Sequence, residues 1–265
     1  MEITLGITPA AEGLFAGWDE TIIWSCLQKV MGCVYANGTK NPTAAAALLG
    51  DFGFLAGQAD TDFLLALKKD VCRKNFIILV PQNTSWNAAI EACYGDDCRR
   101  VTRYAFQKGG ESFDPSKLEQ LAGGLPAEYR LTMIDRQWYA CCQKTHWCRD
   151  LVAQYKSFEE YAKWGLGVLV LRGSVPVSGA SSYSSYRFGI EVEIDTRQEY
   201  RRKGLAAACG ARLILECLKR NLYPSWDAQN AWSAALAQKL GYRFSHEYTA
   251  YEAFCNRAED GGTGP

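Results

Sequence analysis

The hydrophobic pattern changes period along the chain of 265 residues, and the changes mark out the elements. In the first part, Asp19 to Cys33 carries Ile22, Ile23, Cys26, Leu27 and Val30 at helical spacing, and Trp86 to Tyr94 repeats that pattern. Asn41-Pro42-Thr43 stands before an alanine run and predicts the start of a further helix. Phe76 to Val80, closed by Pro81, and Val101 to Phe106 read as strands.

The second part is more regular. Tyr129 to Ile134 alternates as a strand, Trp138 to Cys142 and Asp150 to Trp164 read as helices, and Val168 to Leu171 is a strand ended by Arg172-Gly173. Val175 to Ser178 begins another strand, followed by Ser181-Ser182-Tyr183-Ser184-Ser185, which reads as a hydroxyl-rich turn or, through Ser182 and Ser185, as part of a substrate cleft. Ile190 to Asp195 alternates strictly. Beyond Tyr200, Leu205, Cys209, Leu213 and Cys217 recur every four residues, the mark of a helix laid on a sheet. Leu222 to Trp226 reads as a short strand, Ala231 to Leu240 as a helix stopped by Gly241, and Tyr242 to Phe254 as a closing strand. Strands alternating with helices place the chain in the α/β class.

Composition adds limits. The chain is 48% hydrophobic and 22% charged, ordinary for a globular fold with a sizeable core. Lys+Arg and Asp+Glu are both 29, so no global charge argues for nucleic acid or an anionic membrane as partner. No apolar run is long enough to span a membrane, and Met1-Glu2-Ile3-Thr4 does not begin a secretory signal, which predicts a cytoplasmic protein. Eleven cysteines then read as reduced thiols, with Cys209 and Cys217 as small apolar fillers. Cys141, Cys142, His146 and Cys148 lack the paired spacing of a zinc site, so no metal is expected. His146 and His246 read as structural. Glycine-rich stretches at 107–112 and 121–126 place a boundary between an N-terminal α/β domain at 1–118 and a second domain at 126–265.

The chemistry gathers where the strict strand gives way to the long helix. Arg201-Arg202-Lys203-Gly204-Leu205-Ala206 puts three cations and a glycine at a helix start, where backbone N–H groups lack partners and the helix dipole is positive. That combination suits a pyrophosphate. On the strand before it, Glu191, Glu193 and Asp195 share one face. Buried without partners they are costly, so they face a polar cleft, or are solvated, or pair with Arg187, Arg197 and Arg201. Like charges crowded together raise one carboxyl, which suits a general base; Glu193 is the first candidate and Glu191 the second.

Arg201, Gly204 and Ala206 match the [R/Q]-x-x-G-x-[G/A] signature between the fourth strand and third helix of the GNAT acyltransferase superfamily, which the chain resembles. Asn230, Ser233 and Leu236, followed by Lys239-Leu240-Gly241-Tyr242, resemble a second feature of that family. Glu191 to Thr196, Arg202 to Ala206 and Pro224-Ser225-Trp226-Asp227 are similar to the zwittermicin A resistance-like group, as are Trp18-Asp19, Gly50-Asp51-Phe52 and Thr102-Arg103-Tyr104 in the first part.

The resemblance implies a GNAT fold: a central mixed, mostly antiparallel sheet in the C-terminal half, preceded by a smaller α/β domain, which from its position in the chain alone is expected to cover the cleft and select the acceptor. It implies acetyl-CoA as co-substrate. Lys203, Gly204, Leu205 and Ala206 would grip the pyrophosphate through backbone N–H groups, Arg201 and Arg202 would meet phosphates, Ile194, Asp195 and Thr196 would pair with the pantetheine arm, and Asn230 and Ser233 would hold it from the next helix. A backbone N–H near Ile194 would support a developing oxyanion. The tyrosine that serves many relatives as general acid is Ala237 here, which leaves Tyr242, Tyr248 and Tyr251 as candidates. The implied reaction is direct acetyl transfer to a primary amine of a small molecule. A protein or peptide lysine acceptor, and an acyl-CoA-binding sensor without turnover, are the alternatives. Edge strands of such folds often pair, which leaves a homodimer open.

Overall fold

The computed structural model describes residues 4–71, 75–109 and 113–254, which form two compact units, 4–102 with 248–254 and 103–247. The first unit holds β1 (Thr4–Leu5), α1 (Pro9–Gly13), α2 (Thr21–Leu27), β2 (Cys33–Ala36), β3 (Ala44–Leu49), β4 (Phe52–Gly57), α3 (Thr61–Val71), β5 (Phe76–Pro81), α4 (Ser85–Tyr94) and the start of β6 (Cys98–Phe106). Strands β1 to β5 lie side by side in chain order, antiparallel except for the parallel β4/β5 pair. The chain's last strand, β13 (Phe244–Phe254), ends against β5, with Tyr251 opposite Leu79. Trp86, Phe63, Leu64, Leu67 and Leu79 fill the core of this unit.

Two sequence expectations fail here for visible reasons. The alanine run is not a helix but β3, whose Ala44, Ala45, Ala46 and Ala47 are wholly buried. Asn37 Oδ1 accepts from the N–H groups of Thr43 (3.0 Å) and Ala44 (3.1 Å), locking a β2–β3 hairpin where a helix start was expected. Helix propensity is a weak prior beside such tertiary bonds. The helix expected over 19–33 is shorter, and Lys29 (φ 58°) and Gly32 (φ 75°) turn the chain into β2.

The second unit continues with α5 (Pro115–Gly123), β7 (Tyr129–Met133), α6 (Arg136–Lys144), α7 (Phe158–Trp164), β8 (Gly167–Arg172), β9 (Val175–Tyr186), β10 (Gly189–Thr196), α8 (Leu205–Lys219), β11 (Tyr223–Ser225), β12 (Asp227–Ala228) and α9 (Ala231–Leu240). Its sheet runs β11-β10-β9-β8-β7, antiparallel except at β10/β11, so the fold class is the mixed α/β arrangement expected. The period-four stripe of α8, Leu205, Cys209, Leu213 and Cys217, is buried in one core with Ile190, Val192, Val168 and Val170. Each such leucine contributes about 1.5–3 kcal/mol by leaving water.

The helix expected from Asp150 starts only at Phe158. Ser157 Oγ accepts from the Glu160 N–H (3.3 Å) and Glu160 reaches back to the Lys156 N–H (2.7 Å), a near capping box that was legible in the sequence. The serine stretch is no turn but the middle of β9, and its serines are buried. Tyr155 Oη donates to Ser182 Oγ (2.6 Å) and lies 2.9 Å from Ser185 Oγ, while Tyr161 Oη lies 3.0 Å from Ser181 Oγ. Partnered hydroxyls carry little burial cost, which is why a polar run crosses the sheet interior.

Candidate functional site

Strand β10 is paired with β9 along its whole length but with β11 only from Gly189 to Glu191. β11 then departs, and after it β12 pairs with β6. On its far side, β10 from Val192 to Thr196 has no strand neighbour among the described residues. A strand edge without a strand partner is one along which a ligand can pair as a strand does.

The turn after β10 folds back on it. Arg201 Nε donates to the Thr196 carbonyl (3.1 Å), and its guanidinium lies 3.8 Å from the Asp195 carboxylate. Arg202 (φ 62°) and Gly204 (φ 79°) are both left-handed, and Gly204 caps α8 with no side-chain acceptor for the first-turn N–H groups. A Cβ at Gly204 would meet nothing, so this glycine serves backbone conformation rather than packing.

A cleft of about 490 Å³ opens in front of this turn. It is lined by Ile194, Asp195, Thr196, Arg201, Arg202 and Ala206 on one side and by Asn230 and Ser233 on the other. Three of the residues expected to hold the cofactor do not line it. The Lys203 ammonium lies 4.9 Å over the Tyr200 ring, the Leu205 side chain is buried in the core, and Gly204 presents only backbone. Asn230 caps α9, its side-chain oxygen accepting from the Ser233 N–H (2.9 Å), and Ser233 Oγ accepts from the buried Trp226 indole (3.2 Å). The left-handed Gly241 (φ 113°) ends α9 as the sequence predicted.

Sequence reasoning missed Gln229 and Trp232, which also line the cleft, and gave no role to Leu236 of the Asn230 motif, which lines it too. Trp232 and Leu236 stand four residues apart on α9, a spacing visible in the sequence but absorbed into the helix's own pattern.

Glu191 and Glu193 lie on the same strand but do not line this cleft. Glu191 is buried. Burial pushes the Glu193 carboxyl up to about 8, and the neighbouring Asp150 and Asp195 carboxylates push in the same direction. A hydrogen bond from the Ile194 N–H, the group expected to face an oxyanion, and the charge of Arg103 pull it down in part. Burial likewise raises Asp195, against the pull of the Thr196 N–H and Arg201. Arg103, which the sequence shows only within the Thr102-Arg103-Tyr104 motif, and Asp150 are further residues to which the sequence pattern assigned no role. Arg103 is held by a buried ion pair with Asp227, Nε to Oδ1 2.6 Å. Among the arginines expected as partners of these carboxylates, Arg197 pairs with Glu199 instead.

Ala237, where many relatives carry tyrosine, is wholly buried. Tyr242 donates its hydroxyl to the Pro224 carbonyl (2.7 Å), and Tyr251, in the first unit, donates to Glu91 (2.7 Å). Every described cysteine is a free thiol, and among the described residues no three His, Cys, Asp or Glu side chains gather to hold a metal ion. No helix of the described residues is long and apolar enough to cross a membrane.

Comparison with known proteins gives the chain its family. The family described as GNAT acetyltransferase matches residues 12–251. An uncharacterised N-acetyltransferase of Bacillus subtilis (strain 168), YdfB, is 30% identical over 242 residues, covering 87% of this chain and 89% of that protein. The crystal structure of a GCN5-related N-acetyltransferase-like protein from Streptococcus suis 89/1591 superposes with a TM-score of 0.85 at 48% identity, covering 91% of this chain and 95% of that one. A GCN5-related N-acetyltransferase from Kribbella flavida shares the fold at 14% identity, with a TM-score of 0.53 over 95% of this chain and 96% of that one. Enzymes of this kind take their acyl group from acetyl-CoA. The chain belongs to the GNAT acetyltransferase family and is an N-acetyltransferase.

Proposed function

We propose that this enzyme transfers the acetyl group of acetyl-CoA to a primary amine of a small molecule by direct attack, in the cytoplasm, with Glu193 as general base. The observation that carries the reading is the placement of a carboxyl raised to about 8 on the strand whose outer edge stands open. A base poised near the working pH accepts a proton from an ammonium readily.

The residues present fit a thioester with a diphosphate. The outer side of β10 has no strand partner from Val192 to Thr196 and would offer pairing to an extended arm along Ile194, Asp195 and Thr196, in exchange for their present local bonds to the Glu193 and Asp195 carboxyls and to Arg201. N–H groups from Lys203, Gly204, Leu205 and Ala206 offer the first turn of α8 to phosphate oxygens, with Arg201 and Arg202 beside them. The Asn230 oxygen is engaged as a cap, which leaves its NH₂ to donate, and Ser233 adds a hydroxyl on the same wall. Bound acetyl-CoA supplies the activated acyl carbon. Glu193 takes the amine's proton, directly or through water, and Glu191 is the second candidate for that role. Asp150 and Asp195 draw a cationic acceptor toward Glu193. Free, buried thiols such as Cys209 and Cys217 suit a reducing compartment.

Isothermal titration with acetyl-CoA, beside the Arg202→Ala/Gly204→Asp double variant, is the first test. Micromolar binding that the variant loses, followed by turnover on a panel of small amines that Glu193→Gln loses, is the expected result. Failure of the wild type to bind acetyl-CoA, longer acyl-CoAs or CoA would overturn the site assignment. Turnover confined to protein lysines would overturn the small-molecule acceptor.

A further inference from the structure

We infer that Trp232 is the stacking platform for the adenine ring of CoA. The inference rests on the acyl-donor site proposed above and adds the one part of the ligand that the expected residues leave unassigned. Trp232 is the most exposed large apolar side chain among the described residues, with 83% of its surface in solvent. It is not a stray surface residue, because it lines the same cleft as Arg201 and Arg202.

The helix turn that carries it is held firmly. Asn230 caps the helix, Ser233 is tied to Trp226, and Leu236 one turn on lines the cleft below. The indole therefore stands on the first turn of a fixed helix, at the wall of the cleft. A ligand whose pyrophosphate sits at the Gly204 turn, and whose arm follows β10, must send its nucleotide out of the cleft elsewhere. A flat, exposed indole lining one cleft with Arg201 and Arg202 suits a purine carrying phosphate: the ring stacks, and the arginines neutralise the charge. An indole has a π-face for any base and loses little side-chain freedom in stacking.

Adenosine and phosphopantetheine halves of the ligand separate this inference from the reading beneath it. The wild type, Trp232→Ala and Trp232→Phe are titrated with CoA, 4′-phosphopantetheine and adenosine 3′,5′-bisphosphate, with calorimetry and tryptophan emission recorded together. Trp232→Ala is expected to weaken CoA and adenosine 3′,5′-bisphosphate by about 10- to 100-fold and to leave 4′-phosphopantetheine unchanged. Trp232→Phe is expected to recover most of that loss. CoA and the bisphosphate should quench a component of wild-type emission that Trp232→Ala lacks. Wild-type affinity for CoA in Trp232→Ala would overturn the platform while leaving the donor site standing. An equal loss for CoA and 4′-phosphopantetheine would also overturn it, making Trp232 a contact to the arm. No binding of CoA by the wild type would overturn both.

Discussion

Glu191 of β10 stands opposite Ser225 of β11, and theirs is the last rung between those strands. Beyond it β10 goes on for five residues to Thr196 with a neighbour on one side only. The carboxyl pushed up to about 8, Glu193, sits just past the parting. The open edge begins where β11 leaves the sheet, two residues before a carboxyl that burial and the Asp150 and Asp195 carboxylates raise.

Glu193→Gln should lower kcat by about 100-fold or more, the range of a lost general base. The wild-type pH–rate profile should rise through about pH 8 as the carboxyl loses its proton, and the variant should lack that limb. A variant that keeps the limb removes Glu193 from the chemistry.

The same shift affects stability with a definite sign. The folded chain holds a proton on Glu193 up to about pH 8, whereas an ordinary carboxyl releases it near 4.5. Folding is therefore undisturbed by this group below 4.5, weakened progressively between 4.5 and 8, and weakest above 8. Glu193→Gln removes the deficit, of roughly a few kcal/mol, so its Tm should exceed that of the wild type at pH 8.5 and converge with it toward pH 4.5.

Arg103 pulls Glu193 down and is buried against Asp227. Arg103→Gln should cost about 3–5 kcal/mol in urea unfolding, because it strands a buried carboxylate. It should also move the midpoint of the pH–rate profile upward. A profile that stays in place would separate Arg103 from the electrostatics of Glu193.

Gly204 is left-handed with open space around it. Gly204→Ala should cost about 1 kcal/mol of stability from backbone strain alone. Gly204→Asp adds a negative charge to the same strain and should weaken acetyl-CoA binding by about 100-fold or more. Equal affinities in the two variants would show that the turn does not meet phosphate.

The alanine wall offers a packing test. Ala46 is wholly buried, with Tyr35 and Leu55 as its cross-strand partners. Ala46→Leu should destabilise by about 1–3 kcal/mol through overpacking.

Where one physical cause dominated, sequence reading succeeded. The stripe of α8, the alternation of β10 and the Gly204 turn each follow from local periodicity or from a residue with a special backbone, and eight expected residues do meet at one cleft. Reading failed where partners lie far away in the chain. The hydroxyls of Ser181, Ser182 and Ser185 in β9 meet Tyr155 and Tyr161, and the alanines of β3 are set by Asn37 and the neighbouring strands. Trp232 was invisible as a site residue because exposure is a property of the fold, and Arg103 because its electrostatic effect on Glu193 acts between distant parts of the sequence.

The early departure of β11 has a consequence for the protein between turnovers. A bare stretch of strand is a template for any extended chain, including a second copy of the same protein. Amides from Val192 to Thr196 on that edge should exchange with deuterium sooner than those from Gly189 to Glu191. A ligand that paired there would slow them and withdraw the template, so the concentration of acyl donor would govern colloidal behaviour as well as rate.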